Sequence, residues 1–216
     1  MSTIVFVDGE NFQKKIRQVF AESGLKWDDK KYGQIRLKQL LKSALPDERL
    51  SAIHYYVAKL HVYPETKEKS EELVQLQRTL KSNLSSQGVR FIVSGNVRMY
   101  PLEKGELLFK EKGVDVRLAV DAISLAADKK IKTAVLCSSD SDMQPVVKEL
   151  KRRKVRVIYL GFQTQPNRGL MYTCDETVLI RKNELKKYII DTYQLKIRRF
   201  DDIKPPVSKR KTSSKR

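Results

Sequence analysis

The chain has 216 residues, of which 40% are hydrophobic, so it can fold around a full core without disulfides or a structural metal. Its 44 lysines and arginines outnumber its 26 aspartates and glutamates. The resulting net charge of +18 favours nucleic acid as the partner over an anionic membrane surface or a mere contribution to solubility.

The cysteines and the amino terminus bear on the compartment. Cys137 and Cys174 lack metal-ligand spacing and indicate neither a zinc site nor a disulfide framework, which fits a reducing environment. The apolar run 4–7 is too short for a signal peptide, and no apolar stretch has the length of a membrane span. We therefore predict a soluble, cytoplasmic protein with no membrane partner. Its oligomeric state is left open, and a homodimer is allowed.

Continuous apolar runs predict strands buried on both faces of a parallel sheet, and apolar residues at helical spacing predict helices between them. In chain order, the sequence predicts a strand at 3–7, helices at 11–21 and 34–44, a strand at 50–58, a helix at 66–86, a strand at 89–93 and a hairpin over 94–111. It then predicts a helix at 115–127, a strand at 133–137, a helix at 142–153, a strand at 155–160, a loop, a short strand or loose segment at 175–180, and a helix at 183–193.

This alternation predicts the α/β fold class, with a mainly parallel sheet covered by helices on both faces and the hairpin as a small insertion. The composition changes near the carboxyl terminus, where residues 204–216 contain six basic residues, two prolines, three serines and no acids. We therefore predict one domain over residues 1–195 and a disordered basic tail over residues 196–216.

Aspartates follow two of the predicted strands. Asp8 ends the first strand, and Asp140 follows the strand at 133–137. Asp115 begins the helix that precedes the latter strand, and Asp142 lies two residues beyond Asp140. If the two strands are neighbours, these carboxylates converge beyond the carboxyl ends of the strands, where parallel sheets bind ligands. Close carboxylates repel one another, and Mg²⁺ or Mn²⁺ would remove that cost. The pattern favours metal-assisted phosphodiester hydrolysis.

Each of these residues also has a simpler interpretation. Asp140 and Asp142 could be helix caps, and Asp8 could serve a turn before Gly9. Asn11 could cap a helix, or it could orient Asp8 or contact a metal-bound water.

Two other candidates have less defined roles. Asp121 lies on the apolar stripe of its helix, so we expect it either near the cleft with a partner or on a helix rotated from this prediction. Lys112 could stabilise the acidic cluster, contact phosphate, or be a solvated loop lysine.

Three motifs carry a family resemblance. They are residues 7–11 (VDGEN), residues 112–116 (KGVDV) followed by Asp121, and residues 138–142 (SSDSD). In order and spacing they resemble the NYN domain, in particular the LabA/DUF88 branch of the PIN-like nuclease superfamily. Ser139 stands where that family often has glycine, which changes the local turn but removes no carboxylate.

The resemblance implies a Rossmann-like, three-layer α/β/α sandwich with metal-dependent ribonuclease activity. By motif position, it makes Asp8, Asp115 and Asp140 the core acidic residues. It makes Asn11, Asp121 and Asp142 supporting ligands or orienting groups, with Mg²⁺ or Mn²⁺ as the cofactor and single-stranded RNA as the substrate.

Basic residues concentrate at 148–156, at 181–199 and in the tail. Some of this charge is expected on an ordinary helix exterior, and the rest could contact phosphates. The candidate RNA contacts are Lys112, Lys151, Arg152, Arg153, Arg181 and Lys182. Aromatic residues in or near these regions could stack on bases or belong to the core. They are Tyr159, Phe162, Tyr172, Tyr188 and Tyr193.

Three functions remain in competition at this stage. The first is a metal-dependent endoribonuclease. The second is a nucleic-acid-binding module with weak or no catalysis, which would gain nothing from carboxylates in its groove. The third is a phosphatase-like domain with Asp8 as nucleophile, for which Glu10 is a poorly placed second acid.

Overall fold

The computed structural model describes residues 2–24, 26–101 and 107–189. The predicted turn at Gly105, the end of the last predicted helix and the predicted tail lie outside these ranges. The strands are β1 Thr3–Asp8, β2 Leu50–Lys59, β3 Arg90–Pro101, β4 Leu107–Lys112, β5 Thr133–Cys137, β6 Arg156–Phe162 and β7 Glu176–Ile180. The helices are α1 Gly9–Glu22, α2 Asp29–Tyr32, α3 Leu37–Ala44, α4 Lys67–Ser86, α5 Val114–Ala127, α6 Gln144–Arg152, α7 Arg168–Thr173 and α8 Lys182–Ile189.

The seven strands form one sheet in the order β4-β3-β2-β1-β5-β6-β7. All neighbouring pairs are parallel except β3 and β4. From β1 to β4 each new strand is added on one side of β1, and from β5 to β7 each new strand is added on the other side. The direction of the strand order therefore reverses between β1 and β5. Open parallel sheets bind ligands at the carboxyl ends of the strands at such a reversal. The predicted α/β fold with a mainly parallel sheet is confirmed.

Helices cover both faces of the sheet, because successive strand residues point to opposite sides. Val5 and Val7 pack with α1, α2, α3, α4 and α8 in one core cluster. Ile4 and Phe6 pack with α5, α6 and α7 in the other. The continuous apolar run that predicted β1 therefore supplies both cores. The segment at 175–180, left open by the sequence, is strand β7, and the predicted loop before it contains α7.

The hairpin differs from the predicted insertion, because its first strand continues the preceding strand of the sheet. Residues 90–96 of β3 pair with β2, and residues 96–101 pair with β4 beyond the end of β2. Gly95 lies where β3 changes its pairing partner from β2 to β4, and only glycine fits there. It has a φ of +71°, and a Cβ there would lie 2.2 Å from the carbonyl oxygen of Lys112. The hairpin thus rises past the carboxyl edge of the sheet as a wall beside the end of β1.

Cys137 and Cys174 are both buried and unpaired. Within the described ranges, no helix combines the length and the apolar character that crossing a membrane requires.

Candidate functional site

The carboxyl edge of the sheet carries the predicted acids at the strand reversal. Val7 pairs with Cys137, so Asp8 at the end of β1 and the segment after β5 are neighbours. Asp115 lies in the first turn of α5, whose amino end meets the same edge. Asp8, Asp115 and Asp140 border one cavity of about 510 Å³, which we call the acidic cavity. Its other lining residues are Glu10, Asn11, Lys14, Phe109, Lys110, Glu111, Lys112, Gly113 and Val116.

Asp8 is held in place by its role as the cap of α1. One carboxylate oxygen accepts a hydrogen bond from the backbone N–H of Asn11 at 3.0 Å, and Ser138 Oγ lies 3.5 Å from the other. The side chain is buried, with 7% of the residue exposed. Burial raises the pKa of Asp8, the charges of Glu10 and Asp140 raise it further, and the bonds from Asn11 oppose the shift. Asp8 is therefore a carboxylate short of compensating positive charge.

The turn from β1 into α1 is tightly packed beneath this carboxylate. A Cβ at Gly9 would lie 2.6 Å from both a ring carbon of Tyr55 and the carbonyl oxygen of Tyr56, so only glycine fits. The buried hydroxyl of Tyr55 donates to the carbonyl of Gly9 at 3.2 Å and lies 2.6 Å from the hydroxyl of Tyr32. These contacts fix the direction in which Asp8 and Asn11 leave the sheet.

The segment after β5 is organised by Ser138 and Asp140. Ser138 Oγ accepts hydrogen bonds from the backbone N–H of Asp140 at 3.2 Å and from the Asn11 side chain at 3.5 Å. Asp140 in turn caps the short 3₁₀ turn Ser141–Met143, since its Oδ1 accepts from the N–H of Asp142 at 2.9 Å. The capping interpretation of Asp140 is therefore correct for one oxygen. The side chain of Asp142 is exposed and does not line the acidic cavity.

Two further acids at the acidic cavity were not predicted. Glu111 of β4 forms a hydrogen bond with Glu10 of α1. Burial, this bond and the charges of Glu10 and Asp8 raise the pKa of Glu111 to about 9. Burial alone would raise the pKa of Glu10, but the bond from Glu111 and the ion pair with Lys14 at 2.5 Å lower it. Burial and the charge of Glu10 therefore favour a proton on Glu111 within this pair. Glu10 could have been found from its place in the first motif, whereas Glu111 depends on the hairpin register.

Asp121 lies away from the acidic cavity and has the partners that the sequence led us to expect. Arg117 Nε donates to one of its oxygens at 2.8 Å, and the Tyr56 hydroxyl donates to the other at 3.1 Å. The residue is not among those that line the cavity. These bonds hold α5 against β2, and a supporting role of Asp121 at the metal stays a prediction.

The candidate RNA contacts fall into three groups by position. Lys112 is exposed and lines the acidic cavity, as do Lys14 and Lys110, which the sequence did not single out. Arg181 and Lys182 follow β7 at the carboxyl edge, but β7 is separated from β1 by two intervening strands.

The third group, at the carboxyl end of α6, lies at the opposite edge of the sheet. Lys151 forms an ion pair with Asp175 at 2.8 Å, and Arg152 and Arg153 both bind Glu149 at 2.8 and 2.7 Å. These three residues therefore lie away from the acidic cavity, and their contact with RNA stays a prediction. A crossover helix runs back from the site edge, and its carboxyl end cannot border that edge.

The aromatic residues near the basic stretches differ in their burial. Tyr159, Phe162 and Tyr188 are buried, so they belong to the core. Tyr172 on α7 is 88% exposed, and Tyr193 lies outside the described residues.

The donor chemistry of the acidic cavity suits a hard divalent cation, because its acids offer carboxylate oxygens and one of them lacks compensating charge. As placed, no three histidine, cysteine, aspartate or glutamate side chains in the described ranges converge closely enough to hold a metal. Asp8 and Asp140 each use one oxygen as a cap. Binding would therefore require the side chains to draw together around the ion.

Comparison with known proteins gives one family match. A family model described as the NYN domain matches residues 2–181, which is most of the chain. NYN domains fall within the PIN-like nuclease superfamily, whose members are generally ribonucleases and typically use divalent metals. No curated protein matches the chain. One similar solved structure is a protein of unknown function from Vibrio parahaemolyticus RIMD 2210633. It is 17% identical, with 83% of this chain and 92% of that chain covered and a TM-score of 0.49.

Proposed function

Because the chain belongs to the NYN domain family, we propose that it is a metal-dependent endoribonuclease that hydrolyses phosphodiester bonds in single-stranded RNA. The observation that supports this most directly is the shared cavity. Asp8, Asp115 and Asp140 come from distant parts of the chain and border one cavity at the strand reversal. Helix capping accounts for one oxygen each of Asp8 and Asp140, but it does not require three acids at one cavity, where like charges destabilise the fold.

In this proposal Asp8, Asp115 and Asp140 hold Mg²⁺ or Mn²⁺. When bound, the cation lowers the pKa of a water molecule and offsets the negative charge of a phosphoryl group. Asn11 is a positioning residue, since its backbone N–H donates to the Asp8 carboxylate and its side-chain amide donates to Ser138 Oγ beside that carboxylate. Asp142 supports Asp140 through its backbone, and Asp121 is engaged elsewhere.

The substrate is proposed from charge and position. The net charge of +18 attracts polyanions, and phosphate contacts are the main source of affinity in such complexes. Lys14, Lys110 and Lys112 border the acidic cavity and would hold the phosphates that flank the reacting bond. The preference for a single strand is proposed from the family resemblance.

The direct test is cleavage of end-labelled single-stranded RNA with Mg²⁺ or Mn²⁺, compared with EDTA. Asp140→Asn is the test variant. Asp128→Asn is its matched control, because Asp128 follows the far end of α5 and pairs with Lys130 at 2.9 Å. Loss of outer-shell partners of a metal costs about 10–100-fold in activity, so loss of a ligand should cost at least as much. The control should cleave normally.

The alternative is an RNA-binding module without catalysis. It is favoured by the placement of the acids in the described ranges, which requires movement before they can hold an ion. Salt-sensitive RNA binding with no metal-dependent cleavage would support this alternative and exclude the nuclease. Cleavage that persists in EDTA, or that Asp140→Asn leaves intact, would exclude the proposed metal site.

A further inference from the structure

A second cavity opens next to the acidic cavity, on the side of the sheet covered by α1 and α4. It has a volume of about 300 Å³ and lies beyond the carboxyl end of β2. Glu10, Lys14, Phe109 and Glu111 line both cavities, so the two share a wall. A ligand that occupies the acidic cavity can therefore extend directly into the second one.

Aromatic side chains form one side of this second cavity, which we call the aromatic cavity. The rings of Tyr63 and Phe109 have centroids 6.0 Å apart, and the ring of His61 lies 6.4 Å from that of Tyr63. Tyr63 is fixed by a hydrogen bond of 2.7 Å from its hydroxyl to the carbonyl oxygen of Val97. None of these three rings is buried in the core. Aromatic rings normally stabilise a fold by removing a large apolar area from water, so rings left at a cavity wall are available to a ligand.

The opposite side of the aromatic cavity is formed by α4. Leu73 and Leu76 face it, and Leu73 is 39% exposed. Gln77 also lines it, with its side-chain nitrogen bonded to the carbonyl of Ala58 at 2.9 Å. That bond directs the amide while leaving its oxygen as an acceptor. Gln13 of α1 adds a second amide to the lining. Apolar walls with a few fixed polar groups are typical of small-ligand sites.

We propose that the aromatic cavity binds one unpaired nucleobase of the RNA strand whose phosphate lies at the acidic cavity. This inference rests on the proposed function, to which it adds a base-binding subsite. The volume is at the lower end of the range for small-molecule sites, about 300–1,000 Å³, which suits a single base. Proteins recognise single-stranded RNA by stacking splayed bases on aromatic rings beside a positively charged path for the backbone. Lys14 lies at the junction of the two cavities, where that backbone would pass.

The test is the affinity of the full chain for a fluorescent single-stranded oligoribonucleotide, measured by anisotropy at fixed salt in the Asp140→Asn background, so that no cleavage occurs. Tyr63→Leu and Phe109→Leu keep apolar bulk and remove the ring face. Each should weaken binding about 5–150-fold, the equivalent of roughly 1–3 kcal/mol for one stacked base. Tyr63→Phe keeps the ring face but loses the bond to Val97 that fixes it, so it should retain most of the affinity that Tyr63→Leu loses. Tyr172→Leu removes an exposed aromatic on the other face of the sheet and should have no effect.

An oligomer of the same length with abasic sites separates base stacking from backbone contact. The parent protein should bind it more weakly, and Tyr63→Leu should cause no further loss. Circular dichroism checks that each variant folds. If Tyr63→Leu does not fold, Phe109→Leu and the exposed substitution His61→Ala decide the question. Unchanged affinity in the folded ring-deletion variants would overturn the proposal.

The two proposals can fail separately. If RNA is cleaved with metal and Asp140 but the ring deletions leave affinity unchanged, the nuclease stands and the base subsite does not. If no cleavage occurs yet ring deletion weakens binding of the intact oligomer alone, the subsite stands and the nuclease does not.

Discussion

Replacing Asp8 with asparagine should separate the stability of the fold from its function. Asn caps helices about as well as Asp, so the bond from the Asn11 N–H is retained. The substitution removes a buried negative charge that Glu10 and Asp140 repel. Relief of such repulsion is worth on the order of 1 kcal/mol, so the variant should be more stable than the parent in EDTA by about that amount. Asp8→Ala also loses the cap and should be about 1 kcal/mol less stable than Asp8→Asn.

Metal should reverse the order of stability, so that the parent becomes more stable than Asp8→Asn. An ion that binds only the folded protein stabilises it by about 2.7 kcal/mol at a concentration of about 100 times its Kd. The parent should gain this stability, and Asp8→Asn should lose most of it along with RNA cleavage. Urea denaturation in EDTA and in Mg²⁺ measures both effects, and Asp128→Asn is the control. A decrease in the stability of Asp8→Asn in EDTA would refute the burial argument. An equal Mg²⁺ effect in both proteins would remove Asp8 from the metal site.

Three further predictions concern the surroundings of the site. Tyr55→Phe removes the donor to the buried carbonyl of Gly9 and should lower the free energy of unfolding by about 1–3 kcal/mol in urea denaturation. Gly9→Ala forces a Cβ against Tyr55 and Tyr56 and should cost a similar ~1–3 kcal/mol through overpacking, with cleavage reduced as Asp8 is displaced. Glu111 has a pKa raised from 4.5 to about 9, so between these values the folded protein keeps a proton that the unfolded chain has lost. Stability must then fall as pH rises, by at most about 1.4 kcal/mol per pH unit and by less for a partly exposed group. Glu111→Gln abolishes this loss, so its stability relative to the parent, measured in EDTA, should increase from about pH 6 to about pH 8. A constant difference across that range would contradict the shifted pKa.

The parts of the site that could be predicted are those that local sequence determines. A continuous apolar run ending in an acid gave β1 and Asp8, and another gave β5 and Asp140. Both lie at the carboxyl edge because every parallel strand presents that end to the same side. Their adjacency was a condition of the prediction, since no local pattern specifies which strands pair. The pairing of Val7 with Cys137 meets that condition.

The missed parts depend on pairing over distance. Glu111 reaches Glu10 only because β4 pairs with β3 in one register, with Glu111 opposite Val97. A shift by one residue would turn Glu111 to the other face, and the sequence of the hairpin alone does not specify that register. The distance of Lys151 from the acidic cavity could not be read from the spacing of charges along the chain either. Helix α6 has nine residues and carries the chain about 13 Å back across the sheet.

The separation of charge in the fold bears on how RNA would bind. The basic group at the far end of α6 is already paired with Glu149 and Asp175, so its contribution to the field near the acidic cavity is small. At the cavity itself, Lys14, Lys110 and Lys112 face an excess of carboxylates. A phosphate that enters there meets local repulsion despite the net charge of the whole protein, and a divalent cation would turn that repulsion into attraction. Affinity for RNA at this edge should therefore rise with Mg²⁺ in the parent protein. In Asp140→Asn the rise should be weaker. The missing carboxylate no longer repels the phosphate, and it no longer helps to bind the ion.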